Sequence, residues 1–121
     1  MTDKIKVLHI LSSFGTGGME AHLLNFFRHA DFAGYEHHVF VGSDSGSLRE
    51  EFHKLPLKIR TLKCTPKRYI YALPYGIYYC LKNKICILHG HNYWSYLYCY
   101  FLSMFTAIPF VTGDYGLGTW K

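Results

Sequence analysis

Short apolar runs alternate with segments of helical period along this chain, and no other feature constrains its fold as tightly. "IKVLHIL", Ile5 to Leu11, is rich in branched residues and bounded by Ser12-Ser13, as suits a strand buried on both faces. After a glycine-bearing loop, Met19, Leu23, Phe27 and Ala30 recur at four- and three-residue steps and define one apolar helical face. Glu20 falls in the first turn of that helix, where the dipole favours a carboxylate. "EHHVFVG", Glu36 to Gly42, reads as a second strand, and "SDSGSLREEFHKL" as a helix with Ser47 as N-cap and Glu50 three residues on. "LKIRTL", Leu57 to Leu62, is a third strand near an edge, because its alternate residues are basic or polar. Tyr69 to Asn83 follows as a helix with Pro74 near its start or at a kink. "ICILH", Ile85 to His89, is the fourth strand, Tyr93 to Phe105 a further helix, and "IPFVT", Ile108 to Thr112, the fifth strand.

Strands that alternate with helices through short loops imply a parallel sheet, since parallel neighbours need a crossover connection and cross right-handedly. The expected fold is therefore an α/β, doubly wound parallel sheet in a single domain over residues 1–121. Half the residues are hydrophobic and 18% are aromatic, which excludes a disordered chain. There is no internal repeat, low-complexity tract or linker.

The formal charge is +5, and its distribution says more than its total. No Asp or Glu occurs between Glu51 and Asp114, whereas Lys54, Lys58, Arg60, Lys63, Lys67, Arg68, Lys82 and Lys84 all fall there. Such a stretch is either a set of solvated basic faces or a surface that attracts anions. Within it Arg68, Tyr69, Tyr71, Tyr75, Tyr78, Tyr79, Lys82 and Lys84 mix amphipathic rings with long cationic stems. They suit peripheral attachment to an anionic membrane surface, or else pack several of the rings against the sheet. No segment has the ~18–20 uninterrupted apolar residues of a membrane span, and the N-terminus lacks the pattern of a secretory signal. Cys64, Cys80, Cys86 and Cys99 show no CxxC pairing. The expected setting is cytoplasmic, with reduced thiols, and Cys80, Cys86 and Cys99 buried as small hydrophobes.

Three loops carry the candidate chemistry. Gly15, Gly17 and Gly18 follow the first strand, where a doubly wound sheet binds its ligands and where glycine lets backbone N–H groups approach a phosphate or sugar. With Glu20 at the last position, the run does not match the dinucleotide pattern G-x-G-x-x-G. "LHGHNYWS" ends the fourth strand, and His91 is expected in the loop with its ring reaching the crevice. His89 and His91 have no third His, Cys or carboxylate near them in sequence, so no metal site is expected. "VTGDYGLGTW" follows the fifth strand and supplies Asp114 among glycines.

At these residues the sequence resembles a family, the N-terminal domain of family-4-like glycosyltransferases of the two-domain GT-B type. "ILSSFGTGGMEAHLLNF" is similar to its first-strand loop and helix, "ILHGHNYWS" to its H-x-H loop, and "IPFVTGDYGLG" to its I-P-x-V-x-T-x-H-G turn. The three stand in the family's order and spacing. The resemblance implies the Rossmann-like, acceptor-side domain of an enzyme that transfers a sugar from a nucleotide sugar to a saccharide or lipid-linked acceptor. No metal or other cofactor is expected. It places Gly15, Gly17 and Gly18 beside the donor phosphates or the acceptor, and His91 and Asn92 on the acceptor side. Asp114 takes the catalytic position, where the family commonly has His; an ionised Asp there accepts a hydroxyl hydrogen bond but donates none. Ile85-Cys86 stands where the family commonly has Pro-Asp. The E-x7-E motif of the donor-binding C-terminal domain has no counterpart among the 121 residues. The expectation is thus a truncated or split transferase fragment, or one domain of a longer chain, with an incomplete GT-B fold and little activity alone. The alternative is a non-catalytic α/β ligand-binding module that keeps the cleft without the chemistry. A nucleic-acid partner draws on net charge alone, without a recognisable module, and is not expected.

Overall fold

The computed structural model describes residues 4–112 except 12, 15–17, 31, 44, 64–65 and 92. Five strands form one sheet: β1 (Ile5–Leu11), β2 (Tyr35–Val41), β3 (Lys58–Thr61), β4 (Ile87–Gly90) and β5 (Phe110–Thr112). Their order is β3-β2-β1-β4-β5 and every neighbouring pair is parallel. The expected α/β, doubly wound Rossmann-like fold is therefore present, with β3 at an edge. Helices α1 (Gly18–Arg28), α2 (Arg49–His53), α3 (Leu73–Asn83) and α4 (Tyr93–Thr106) make the crossovers, and a 3-10 segment, Pro66–Ala72, leads into α3.

The period-two alternation of β1 divides the core. Leu8 and Ile10 meet Phe40, Tyr79, Cys80, Leu88, Tyr98 and Leu102 on one face, beneath α3 and α4. Leu11 joins Val39 and Val41 on the other face, beneath Leu23, Leu24 and Phe27 of α1 and Phe52 of α2. The apolar face expected of the first helix is seen in the burial of Leu23 and Phe27. Among the described residues no helix is long and apolar enough to cross a membrane.

Three local expectations are corrected. α2 begins at Arg49 after Leu48, which makes no side-chain cap, so Ser47 and Glu50 form no capping box. The backbone there is committed elsewhere: Phe14 N–H donates to Ser45 O at 2.8 Å and Leu48 N–H to Phe14 O at 2.8 Å. The helix expected from Tyr69 is 3-10 up to Ala72, and α3 carries Pro74 in its first turn. Proline lacks the N–H and crowds the carbonyl four residues back, so it starts a helix more readily than it continues one. Cys86 is exposed, whereas Cys80 and Cys99 are buried as expected. Burial pushes the Cys80 thiol up to about 12 and the Cys99 thiol up as well. Cys64 lies outside the described residues.

Candidate functional site

The sheet order reverses between β1 and β4, one running on to β2 and the other to β5, and ligands of such sheets bind beyond the carboxyl ends at that point. Because all strands are parallel, the carboxyl ends of β1, β4 and β5 all lie at this edge. Gly18 opens α1, whose N-terminal end lies there, and α4 opens at Tyr93 just after His91. Gly15, Gly17, Asn92 and Asp114 lie outside the described residues. Two contacts shape the edge. The buried Tyr69 hydroxyl donates to Leu11 O at 2.6 Å, joining Gly42 N–H at 3.1 Å on the last carbonyl of β1. A Cβ at Gly90 would stand 3.0 Å from Tyr96 Cδ1 and 3.1 Å from the Ser95 backbone, so glycine at that position lets the start of α4 close onto β4.

His91 follows β4 in the loop, as expected, but its ring does not project into open crevice. It is buried, 3% exposed, and turned onto the sheet. His91 Nε2 lies 3.1 Å from Nδ1 of His9, and His9 Nε2 lies 3.0 Å from Nδ1 of His37. Neutral imidazole carries one N–H and one lone pair, so His37, His9 and His91 form a hydrogen-bonded chain whose direction follows from the tautomers of the rings. His89 completes the group, with its ring centroid 4.0 Å from that of His91 and 5.2 Å from that of His9. Register explains the gathering: His9 pairs with His89 across β1 and β4, and Val7 with His37 across β1 and β2, so all three rings leave the same sheet face. Phe27 of α1 meets His9 edge to face at 5.0 Å. Beside them opens a cavity of about 440 Å³, lined by Val7, His9, Phe26, Tyr35, His37 and His89 among others.

Burial lowers all four imidazoles below their ordinary range, with neighbouring histidines adding to the effect at His9, His37 and His91. The rings are therefore neutral at pH 7. His38 points to the opposite face, where Nε2 donates to Glu36 Oε2 at 2.6 Å and Nδ1 accepts from the Tyr79 hydroxyl at 2.6 Å. Burial keeps it neutral too.

The sequence counts no third ligand near His89 and His91; the sheet supplies His9 from 82 residues before His91. The signal was present in outline, because a histidine in the first strand of a doubly wound sheet stands next to the fourth. Register, which decides whether the rings share a face, is not written in either strand alone.

Fold and edge together define a Rossmann-like α/β domain, and the comparison with known families gives its family. The chain belongs to Glycosyltransferase Family 4, whose model matches residues 16–120. A glycosyltransferase from Rickettsia africae is similar in structure, with a TM-score of 0.67 at 16% identity over 98% of this chain and 32% of that one. MurG of Acinetobacter baumannii gives 0.66 at 13% identity, covering 89% of this chain and 34% of that one. The lipopolysaccharide outer core galactosyltransferase WaaB in its apo form gives 0.58 at 15% identity, over 89% and 32%. The chain thus spans about a third of the length of these solved structures, all of the GT-B type. No curated protein sequence matches it significantly.

Proposed function

We propose that this chain is the acceptor-side domain of a transferase that moves a sugar from a nucleotide sugar to a saccharide or lipid-linked acceptor of the cell envelope. The observation that carries the reading is that the strands directly before the three motifs in sequence, β1, β4 and β5, are adjacent in the sheet with their carboxyl ends at the switch point, in a chain whose family match covers residues 16–120. In this reading Gly15, Gly17 and Gly18 present backbone N–H groups to the donor phosphates or the acceptor. His91 and Asn92 form the acceptor side, with the buried His91 ring setting the course of the loop. Asp114 lies near the transferred sugar and accepts a hydrogen bond from a hydroxyl. The similarity to WaaB, a lipopolysaccharide outer core galactosyltransferase, supports an envelope acceptor.

Transition-state stabilisation needs donors held around the reacting atoms, and one such domain furnishes half of that shell. A second, donor-binding domain is therefore part of the proposal, on the same polypeptide or another. The 121 residues alone should neither transfer nor hydrolyse nucleotide sugars above the buffer rate, yet should bind a nucleotide sugar or saccharide acceptor weakly. Gly17→Val should abolish that binding, as read by ligand-observed NMR. Robust turnover by the chain alone would overturn the need for a second domain; absence of any saccharide or nucleotide-sugar binding would overturn the site. Asp114, standing where the family commonly has His, favours one other reading, a ligand-binding module without transfer. Transfer on supplying the donor domain separates the two.

A peripheral membrane contact fits the same role. Tyr71 is 80% exposed, and Tyr78, Leu81, Arg68 and Lys82 are exposed with it, whereas Tyr69 and Tyr79 are buried against the sheet. An apolar surface with a basic margin is worth ~1 kcal/mol per cation near anionic lipid, screened by salt. Co-sedimentation with anionic but not neutral vesicles, weakening as salt rises, is the expected result. Equal binding to both would refute it.

A further inference from the structure

We infer that His9, His89 and His91 form a binding site for one transition-metal ion of the zinc class, built into the sheet across the junction of β1 and β4. One ring nitrogen of each lies within 4.8 Å of one from each of the others. Zinc–imidazole bonds of ~2.0–2.1 Å in a tetrahedron set neighbouring nitrogens ~3.3 Å apart. The His9 Nδ1 to His91 Nε2 separation of 3.1 Å is already close to that edge, and His89 needs a shift of side-chain scale to join it.

The surroundings favour an ion over a third proton. Metal binding needs neutral rings with a lone pair free, and burial holds these rings neutral at pH 7. His9 has the outer partner that metal-bound histidines normally show: with its N–H on Nε2 donating to His37 Nδ1 at 3.0 Å, its Nδ1 lone pair faces His91. His91 then carries its own proton on Nδ1, so the rings coordinate by change of tautomer without net loss of a proton. Two ligands come from neighbouring strands in register and the third from the residue directly after β4, so the backbone already positions all three. The cavity beside His9 and His89 offers a path in and room for a fourth ligand such as water. All three donors are imidazole nitrogens, and the buried thiols Cys80 and Cys99 belong to the opposite face. That donor set suits zinc, cobalt, nickel or copper and not the oxygen-seeking Mg²⁺ or Ca²⁺. Bound there, the ion ties the loop after β4 to β1 at the switch point. The site does not depend on the transferase reading.

The test is titration of the metal-free 121-residue chain with Zn²⁺ by calorimetry and with Co²⁺ by visible absorption. One ion per chain is expected, with Co²⁺ bands of four- or five-coordinate intensity that Zn²⁺ displaces and Mg²⁺ does not. His89→Gln, at the least buried ligand, should abolish the Co²⁺ bands. His37→Phe should weaken binding about 10–100-fold with the band shape retained. His22→Gln and His53→Gln, at exposed rings, should change nothing. Independently of any variant's folding, long-range ¹H–¹⁵N spectra of the ¹⁵N-labelled chain should show zinc perturbing the rings of His9, His89 and His91. Failure to bind one equivalent, displacement by Mg²⁺, binding that survives His89→Gln, or zinc shifts confined to surface histidines would each overturn the site.

Discussion

Gly76→Ala in α3 sets helix propensity against tertiary packing, and packing should win. In an isolated helix the change would stabilise by about 1 kcal/mol, because glycine surrenders more backbone freedom than alanine. Here the new Cβ would overlap the Tyr98 hydroxyl oxygen and stand 2.9 Å from Leu102 Cδ2 and 3.0 Å from Tyr98 Cζ. Overfilling a close-packed contact of this kind costs about 1–3 kcal/mol. Displacing the hydroxyl also strains its 2.8 Å hydrogen bond to Ala72 O, worth about 0.5–1.5 kcal/mol. Subtracting the propensity gain leaves a net destabilisation of about 0.5–3.5 kcal/mol. Urea denaturation of Gly76→Ala, Tyr98→Phe and the double variant forms a cycle that isolates the clash. In the Tyr98→Phe background the oxygen is gone, and Leu102 can yield at its flexible end. The Gly76→Ala penalty should then shrink by about 1 kcal/mol or more. If Gly76→Ala stabilises the protein by the propensity term in both backgrounds, the reasoning is refuted and α3 does not approach α4 as described.

Tyr69→Phe deletes the hydrogen bond to Leu11 O, which keeps its second donor, Gly42 N–H, so a loss of about 0.5–1.5 kcal/mol in chemical denaturation is expected. Lys84→Gly should stabilise by up to about 1 kcal/mol, since Lys84 closes α3 at φ 56°, in the left-handed region that glycine adopts without penalty; a loss of stability would contradict the cap. Acid should destabilise the metal-free chain through His9, His37, His38, His89 and His91, all neutral in the fold with pKa values lowered by burial. Their stabilisation is complete above the unfolded value near 6.5. It falls as pH drops below it, at about 1.4 kcal/mol per pH unit for each ring that gains its proton only on unfolding. A flat stability profile between pH 7 and 5 would contradict their burial.

The strand–helix alternation, the edge position of β3 and the helical face of Leu23 and Phe27 were legible because hydrophobic period is local: two residues for a strand, about 3.6 for a helix. The three motif loops were legible for a similar reason, since glycine and histidine patterns next to strand ends belong to short contiguous stretches. Tertiary structure decided the rest. Ser47 and Glu50 have the spacing of a capping box, yet the backbone of Ser45 and Leu48 bonds to Phe14 and moves the helix start. Tyr69 and Tyr79 look like Tyr71 and Tyr78 in sequence; packing buries the first pair and exposes the second. His9, inside an apolar run, carries no local mark of a site. It meets His91 because β1 and β4 pair in one register, and a slip of one residue would send its ring to the opposite face. Pairing and register are set by the burial of whole faces across the chain, which is why a window of sequence announces the elements but not which of their side chains meet.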